Sequence, residues 1–311
     1  EVKLVLMTLG RSLTPLRSFL HECKKQHEAS VDNTTISYSR TEMSQHWGMS
    51  HERPSRPLST IDLDEKLKTA LVADINEYLS PLRAKWYSDR GIPYRRGFLF
   101  HGPPGCGKTS MAKALAGHFH LPLFSTSLSR NMTEGTLESL FRQLPKRCIV
   151  LLEDIDSAGI QREEMKQVVP EQPLLQAQAQ QPEHYGYGMP LSCLLNVIDG
   201  PNSEEGRVLI MTTNTPESLD RALIRPGRID MQVFFGPVSR KVAASIFRRM
   251  YMLDTPPSGV IDKKQEEELA EQADSFAAHV PELKFTPAEV QTFLTMHRTP
   301  EQAIAGAQDW V

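Results

Sequence analysis

Cysteine is scarce in this 311-residue chain. There are four, at positions 23, 106, 148 and 193, and none stands in CxxC spacing. That excludes a disulfide scaffold and a zinc ribbon, and it fits a reducing compartment. Long apolar runs are missing too. None approaches the roughly 18 residues that span a bilayer, and no secretory leader pattern opens the chain. Charge of one sign is not in excess: Lys plus Arg is 35 and Asp plus Glu is 38, a formal net charge of −3. A general polyanion binder is thereby excluded, though a local basic lining is not. Aromatic residues make up only 7% and form no basic–aromatic stripe of the kind that reads nucleic acid. No internal repeat is evident. What is present is ordinary: 40% hydrophobic and 23% charged residues. That supports a sizeable core, and the length leaves room for about two domains at roughly 150 residues each.

Residues 1–57 read as a first unit. A strand is expected at Leu4–Leu9 and another near Thr35–Tyr38. Between them Thr14-Pro15 opens a helix, with threonine as N-cap and proline at the first helical position. Leu16, Phe19, Leu20 and Cys23 give that helix one apolar face. Arg53-Pro54-Ser55-Arg56-Pro57 has the composition of a linker. The chain starts at Glu1 rather than Met, directly in a strand-like run, and reads as a fragment whose natural N-terminus lies upstream.

Residues 58–237 read as α/β. Apolar segments at Gly97–Phe100, Leu121–Ser125, Cys148–Leu152, Arg207–Thr212 and Met231–Phe235 alternate with helical patterns. Short apolar strands separated by helices imply a parallel five-stranded sheet covered on both faces. Residues 238–311 read as all-helical, with Val242, Ile246 and Met250 along one face. Residues 157–189 carry seven glutamines and several prolines, and are expected to be a flexible Gln-rich insertion.

The chemistry concentrates in four places. Gly102-Pro103-Pro104-Gly105-Cys106-Gly107-Lys108-Thr109 fits GxxxxGK[ST] at every fixed position, between an apolar strand and a helix. The glycines let the backbone curl so that its N–H groups face phosphates, and the helix N-terminus adds its positive end. Lys108 is expected at the β- and γ-phosphates of ATP, and the Thr109 hydroxyl on Mg²⁺. Second, the apolar strand Cys148–Leu152 ends in Glu153-Asp154. By position Glu153 would hold the metal through water and Asp154 would polarise the attacking water. A chain that binds nucleotide without hydrolysing it is the alternative, because related ATPases carry these acids as Asp-Glu. Third, Val208–Thr213 runs into Asn214, whose amide can hold a water by donating and accepting at once. Fourth, Arg225 and Arg228 sit on a tight turn, Arg225-Pro226-Gly227-Arg228. Guanidinium groups there stabilise a transferring phosphoryl group, commonly in the neighbouring subunit. Surface arginines paired with Asp220 or Asp230 are the plain alternative.

With these motifs on the page, the stretch from about Leu58 to Tyr251 resembles the AAA ATPases, and within them the mitochondrial Bcs-type chaperones. The resemblance rests on Trp86–Gly97, the phosphate loop with Cys106, Leu151–Asp156, Leu194–Gly200 and Met211–Asn214. The Glu-Asp order is shared with that branch. The resemblance implies a P-loop AAA core, a C-terminal helical lid at 238–311, and in residues 1–57 the C-terminal part of a family-specific middle domain. It implies an ATP- and Mg²⁺-dependent ATPase and a homo-oligomeric ring, heptameric in that family. It also implies a place at the mitochondrial inner membrane through a segment upstream of Glu1. The family's namesake translocates the folded Rieske iron–sulfur protein during assembly of respiratory complex III. The Gln-rich insertion resembles expanded fungal paralogues. The loop Ser127–Gly135 has no aromatic to grip an extended chain, Met132 being its one candidate, and this favours a folded cargo over threading. Two other readings use the same fold. A nucleic-acid motor would show DNA- or RNA-stimulated turnover. A nucleotide-gated assembly switch would oligomerise on ATP with little turnover.

Overall fold

In a computed structural model, residue 7 and residues 12–31, 34–40, 45–128, 132–156, 191–200, 205–252 and 263–311 are described. Apart from Met7, the expected strand at Leu4–Leu9 lies outside the described residues, as does the Gln-rich insertion.

The β3 strand (Arg96–His101) shows why the core forms. Phe98, Leu99 and Phe100 are all fully buried, but on opposite faces of the sheet. Phe98 and Phe100 join Leu123, Ile149, Leu151 and Ile210 beneath α2 (Glu65–Leu79) and α4 (Lys108–His118). Leu99 joins Phe124, Val150, Leu152 and Met211 on the other face, beneath α5 (Glu134–Arg142) and α6 (Leu191–Asp199). Alternating side chains that are apolar on both faces are the signature of a strand covered from both sides.

The sheet has seven strands in the order β2-β1-β4-β5-β6-β3-β7. Five are the expected ones: β3, β4 (Leu123–Ser127), β5 (Ile149–Glu153), β6 (Val208–Thr213) and β7 (Met231–Phe234), all parallel. The other two are a hairpin, β1 (Thr34–Arg40) and β2 (Trp47–Pro54), that extends the same sheet. β1 runs parallel to β4, with Tyr38 opposite Phe124. The rings of that pair stack at 4.5 Å, and Trp47 meets Phe124 edge-on at 5.0 Å. Trp47 Nε1 donates to the Leu140 carbonyl at 2.9 Å. The first unit is thus joined to the core by ladder hydrogen bonds and an aromatic cluster. Arg53 and Pro54, expected in a linker, belong to β2 instead, paired with Thr35 and Thr34. Proline is accommodated there because β2 is the edge strand.

Ahead of the hairpin, α1 (Thr14–Val31) leaves Phe19 and Leu20 exposed. No described helix is long and apolar enough to cross a membrane. The C-terminal part holds α7 (Arg240–Tyr251), α8 (Lys263–His279), α9 (Pro287–Met296) and α10 (Pro300–Trp310). Its own core is built on Phe247, Phe276 and Phe293, with Trp310 stacked on Phe293. On α7 the inward face is Ala243, Ala244, Ile246 and Phe247, whereas Met250 is 38% exposed. The buried stripe is thus displaced from the Val242–Ile246–Met250 row expected from the sequence.

Candidate functional site

Strand order assembles the site. β6 lies between β3 and β5, so the loop after β3, the acids after β5 and the amide after β6 share one end of the sheet. In open α/β sheets that carboxyl end is where ligands bind. Gly102-Pro103-Pro104-Gly105-Cys106-Gly107 leaves β3 and enters α4 at Lys108. Gly107 is the N-cap with φ +92°, a conformation that side chains with a Cβ rarely adopt.

Lys108 is buried, and its three ammonium protons are all used. Nζ donates to the Gly102 carbonyl at 2.6 Å, to the Pro103 carbonyl at 2.9 Å and to Asn214 Oδ1 at 2.7 Å. Burial pushes the ammonium below the ordinary lysine value, while Cys106, Asp154 and Asp156 oppose the shift. Asn214 was expected to donate and accept toward water. Its oxygen is engaged by Lys108, which leaves the amide nitrogen for that work.

Thr109 Oγ1 donates to Glu153 Oε2 at 3.3 Å. Two hard oxygen donors from α4 and the end of β5 suit a magnesium ion, which keeps several waters and takes few protein ligands. No group of three or more His, Cys, Asp or Glu side chains placed to hold a metal occurs among the described residues. Asp154 has φ +48°, in the left-handed region that aspartate tolerates better than most residues. Its backbone N–H donates to Thr212 Oγ1 at 3.0 Å, and the next N–H, of Ile155, to the Thr212 carbonyl at 3.0 Å. Thr212 therefore fixes the turn that carries Asp154. Its hydroxyl at a strand end was the available signal, and sequence reasoning passed over it.

Lys108, Thr109, Asp154 and Asn214 line one cavity of about 400 Å³. Its far wall was not legible in the sequence. It comprises Arg56, Ile61 and Asp62 from the segment after the hairpin, and Pro287, Ala288 and Gln291 from α9. Asp62 accepts two bonds from Arg249 of α7, at 2.7 and 2.8 Å, and one from Gln291 at 3.0 Å. The Ala288 N–H donates to the Gly105 carbonyl at 3.3 Å. The helical unit thus closes directly over the phosphate loop.

The remaining candidates lie elsewhere. Arg225 is exposed on its turn. Arg228 is committed within its own chain, to Asp199 and to the Ala222 carbonyl. Neither of the acids considered from sequence, Asp220 or Asp230, is its partner in these contacts. Asp230 instead holds the turn itself, accepting from Gly227 N at 3.1 Å and Gly97 N at 3.0 Å. Met132 is only 3% exposed and packs with Leu128, Leu137 and Leu140, so it offers no grip on a passing chain.

Comparison with known proteins accords with this geometry. Three family models match successive parts of the chain. They are the BCS1 N-terminal model at residues 1–61, the model for ATPases associated with various cellular activities (AAA) at 98–237, and the Mitochondrial chaperone BCS1-like ATPase lid model at 240–309. The chain is similar to the mitochondrial chaperone BCS1 of Danio rerio, 37% identical over 275 residues, covering 88% of this chain and 61% of that protein. It is 33% identical to the Homo sapiens protein of that name over 306 residues, 96% of this chain and 66% of that one. A probable mitochondrial chaperone BCS1-B of Dictyostelium discoideum is 34% identical over 317 residues, 97% and 65% respectively. The chain therefore spans about two thirds of the length of these relatives. With its phosphate loop, acid pair and lid in this order, the chain belongs to the BCS1 branch of the AAA ATPase family.

Proposed function

We propose that this chain is the ATP-hydrolysing part of a ring-forming chaperone that moves or remodels a protein at the mitochondrial inner membrane. The single observation that carries the ATPase reading is the Lys108–Asn214 bond of 2.7 Å beside the Thr109–Glu153 contact of 3.3 Å. Together they join the phosphate loop to the ends of β6 and β5. The relatives' names, mitochondrial chaperone BCS1, support the compartment and the chaperone role.

In the proposed cycle the loop from Gly102 to Gly107 presents backbone N–H groups to the phosphates, and Lys108 exchanges a neutral acceptor for a phosphate oxygen. Thr109 and Glu153 would hold Mg²⁺, Glu153 partly through water. When bound, that ion offsets charge on the β- and γ-phosphates. Asp154 takes the proton of the attacking water, while the Asn214 amide nitrogen orients that water. Arg225, exposed on its turn, reaches the nucleotide of the adjacent copy, so that each site is completed by a neighbour. Arg228 shapes that turn from within.

The cargo is a folded protein, in line with the family's namesake and its Rieske substrate. The support is the absence of an aromatic in Ser127–Gly135 and the burial of Met132, which leave that loop poorly suited to gripping an extended chain. Membrane attachment would come from sequence outside the chain. The test is ATP turnover of the assembled protein, with ring mass measured first. Lys108→Ala should abolish nucleotide binding without unfolding. Wild-type affinity in that variant would sink the assignment. ATP-driven assembly with no phosphate release would favour the assembly-switch reading.

A further inference from the structure

We infer that Arg56 is a nucleotide-binding residue that contacts the phosphate nearest the sugar. This rests on the ATP-binding reading above and extends the site beyond its motifs. Arg56 lines the nucleotide cavity together with Lys108, Thr109 and Ser110. Its guanidinium donates through Nη1 to Ser110 Oγ at 2.9 Å, through Nε to Thr60 Oγ1 at 3.0 Å and through Nη2 to the Thr60 carbonyl at 3.2 Å. Every one of these acceptors is neutral. Among the described residues no carboxylate pairs with it. Asp62, the nearby acid of the cavity wall, is taken by Arg249 and Gln291.

An arginine in this place is poorly matched to its present surroundings. Ser110 lies in the first turn of α4. A cation there faces the positive end of the helix dipole, which is unfavourable unless an anion shares the site. The same helix end is where a phosphate loop delivers an anion. The roles already assigned along the first turn of α4 then order the contacts. Lys108 serves the β- and γ-phosphates, and Thr109 the metal. Ile61, Asp62 and Gln291 line the same cavity. Arg56, bonded to Ser110 one residue past Thr109 in the first turn of α4, is then assigned to the phosphate that Lys108 does not serve. Arg56 also lies two residues past β2, which ends at Pro54. Its contact would link the hairpin unit to the nucleotide without passing through the lid.

The test is competition of ATP, ADP, AMP and adenosine against a fluorescent ATP analogue, on the whole chain. Arg56→Ala should weaken ATP, ADP and AMP by similar factors, on the order of 10-fold or more, as expected for loss of a charge-assisted bond. Adenosine affinity and nucleotide-free melting should not change. Arg56→Lys should recover part of the loss, because charge without the guanidinium fork keeps only some of the contact. Unchanged affinity for all three phosphorylated ligands would overturn the inference. So would an equal loss for adenosine, which would mark Arg56 as packing the wall. Wild-type protein that binds none of the four would overturn the ATP-binding reading, and this inference with it.

Discussion

Arg228 grips a single carboxylate oxygen of Asp199 with two nitrogens: Nε lies 2.8 Å and Nη2 2.7 Å from Oδ2. Arg95 takes the other oxygen at 2.9 Å. Asp199 closes α6, so this pair ties that helix to the turn that carries Arg225. The turn is also pressed against β3. A Cβ on Gly97 would lie 1.7 Å from the Arg228 carbonyl oxygen, so only glycine fits there. Two arginines in one short motif therefore have different neighbours, and they should fail in different ways.

Arg225→Ala should leave ATP binding and melting temperature intact and lower turnover by about 10³-fold or more, the scale of a trans arginine in phosphoryl transfer. Arg228→Ala should in addition lower stability by about 1 kcal/mol, because Asp199 is left with Arg95 alone and the turn loosens. Mixing Arg225→Ala with Lys108→Ala subunits should restore some turnover, through junctions where an intact loop meets an intact arginine. Steady-state ATPase on rings of verified mass reads this. Turnover in single variants that does not depend on protein concentration would place Arg225 in its own subunit's site.

Asp154→Asn keeps a side chain that tolerates the left-handed backbone at φ +48° and removes the charge. ATP should still bind, with turnover down by about 10²-fold or more, as for loss of a general base. Glu153→Gln should chiefly raise the Mg²⁺ concentration needed for half-maximal rate. Normal hydrolysis in Asp154→Asn with loss in Glu153→Gln would exchange the two roles.

Lys108 sets a pH dependence with a definite sign. Burial lowers its folded-state value from 10.5. Between that lowered value and 10.5 the unfolded chain holds more proton, so stability rises with pH. Without nucleotide, wild type should gain stability relative to Lys108→Met as pH climbs toward 10.5, and the difference should be flat below the folded-state value. Urea titrations of both proteins across that range measure it. A difference that shrinks with rising pH would mean that the fold favours the ammonium.

The Asp62–Arg249 pair should hold the lid to the segment after the hairpin. Asp62 has 5% of its side chain exposed. Arg249→Ala leaves that carboxylate without its cation, and the cost should approach the 3–5 kcal/mol of a broken buried pair. Asp62→Asn in the same chain should return part of it, since the amide no longer needs a cation. Chemical denaturation of the two single variants and the double variant closes the cycle. Additive losses would show that the residues do not act as a pair.

The phosphate loop was legible because its determinants are local. Glycine spacing, the strand before it and the helix after it occupy one short stretch, and backbone geometry follows from residue type alone. The five core strands were legible for a similar reason, since apolar runs between helical patterns report burial on both faces. Arg53 and Pro54 were misassigned because proline and arginine look like a linker in one dimension, whereas an edge strand accepts both. Met132 was misread because exposure belongs to the packed molecule: Leu128, Leu137 and Leu140 enclose it.

The amino-acid sequence by itself determined the nucleotide loop, the acids after β5, the amide after β6 and the α/β alternation that sets them at one sheet end. Tertiary structure alone decided which polar groups meet. Arg228 finds Asp199 across 29 positions, Arg56 finds Ser110 across 54, and Arg249 finds Asp62 across 187. No periodicity encodes such pairs, because a charged side chain has the same local preference whichever partner it meets. The choice is made when strands and helices pack and bring distant side chains within hydrogen-bond reach.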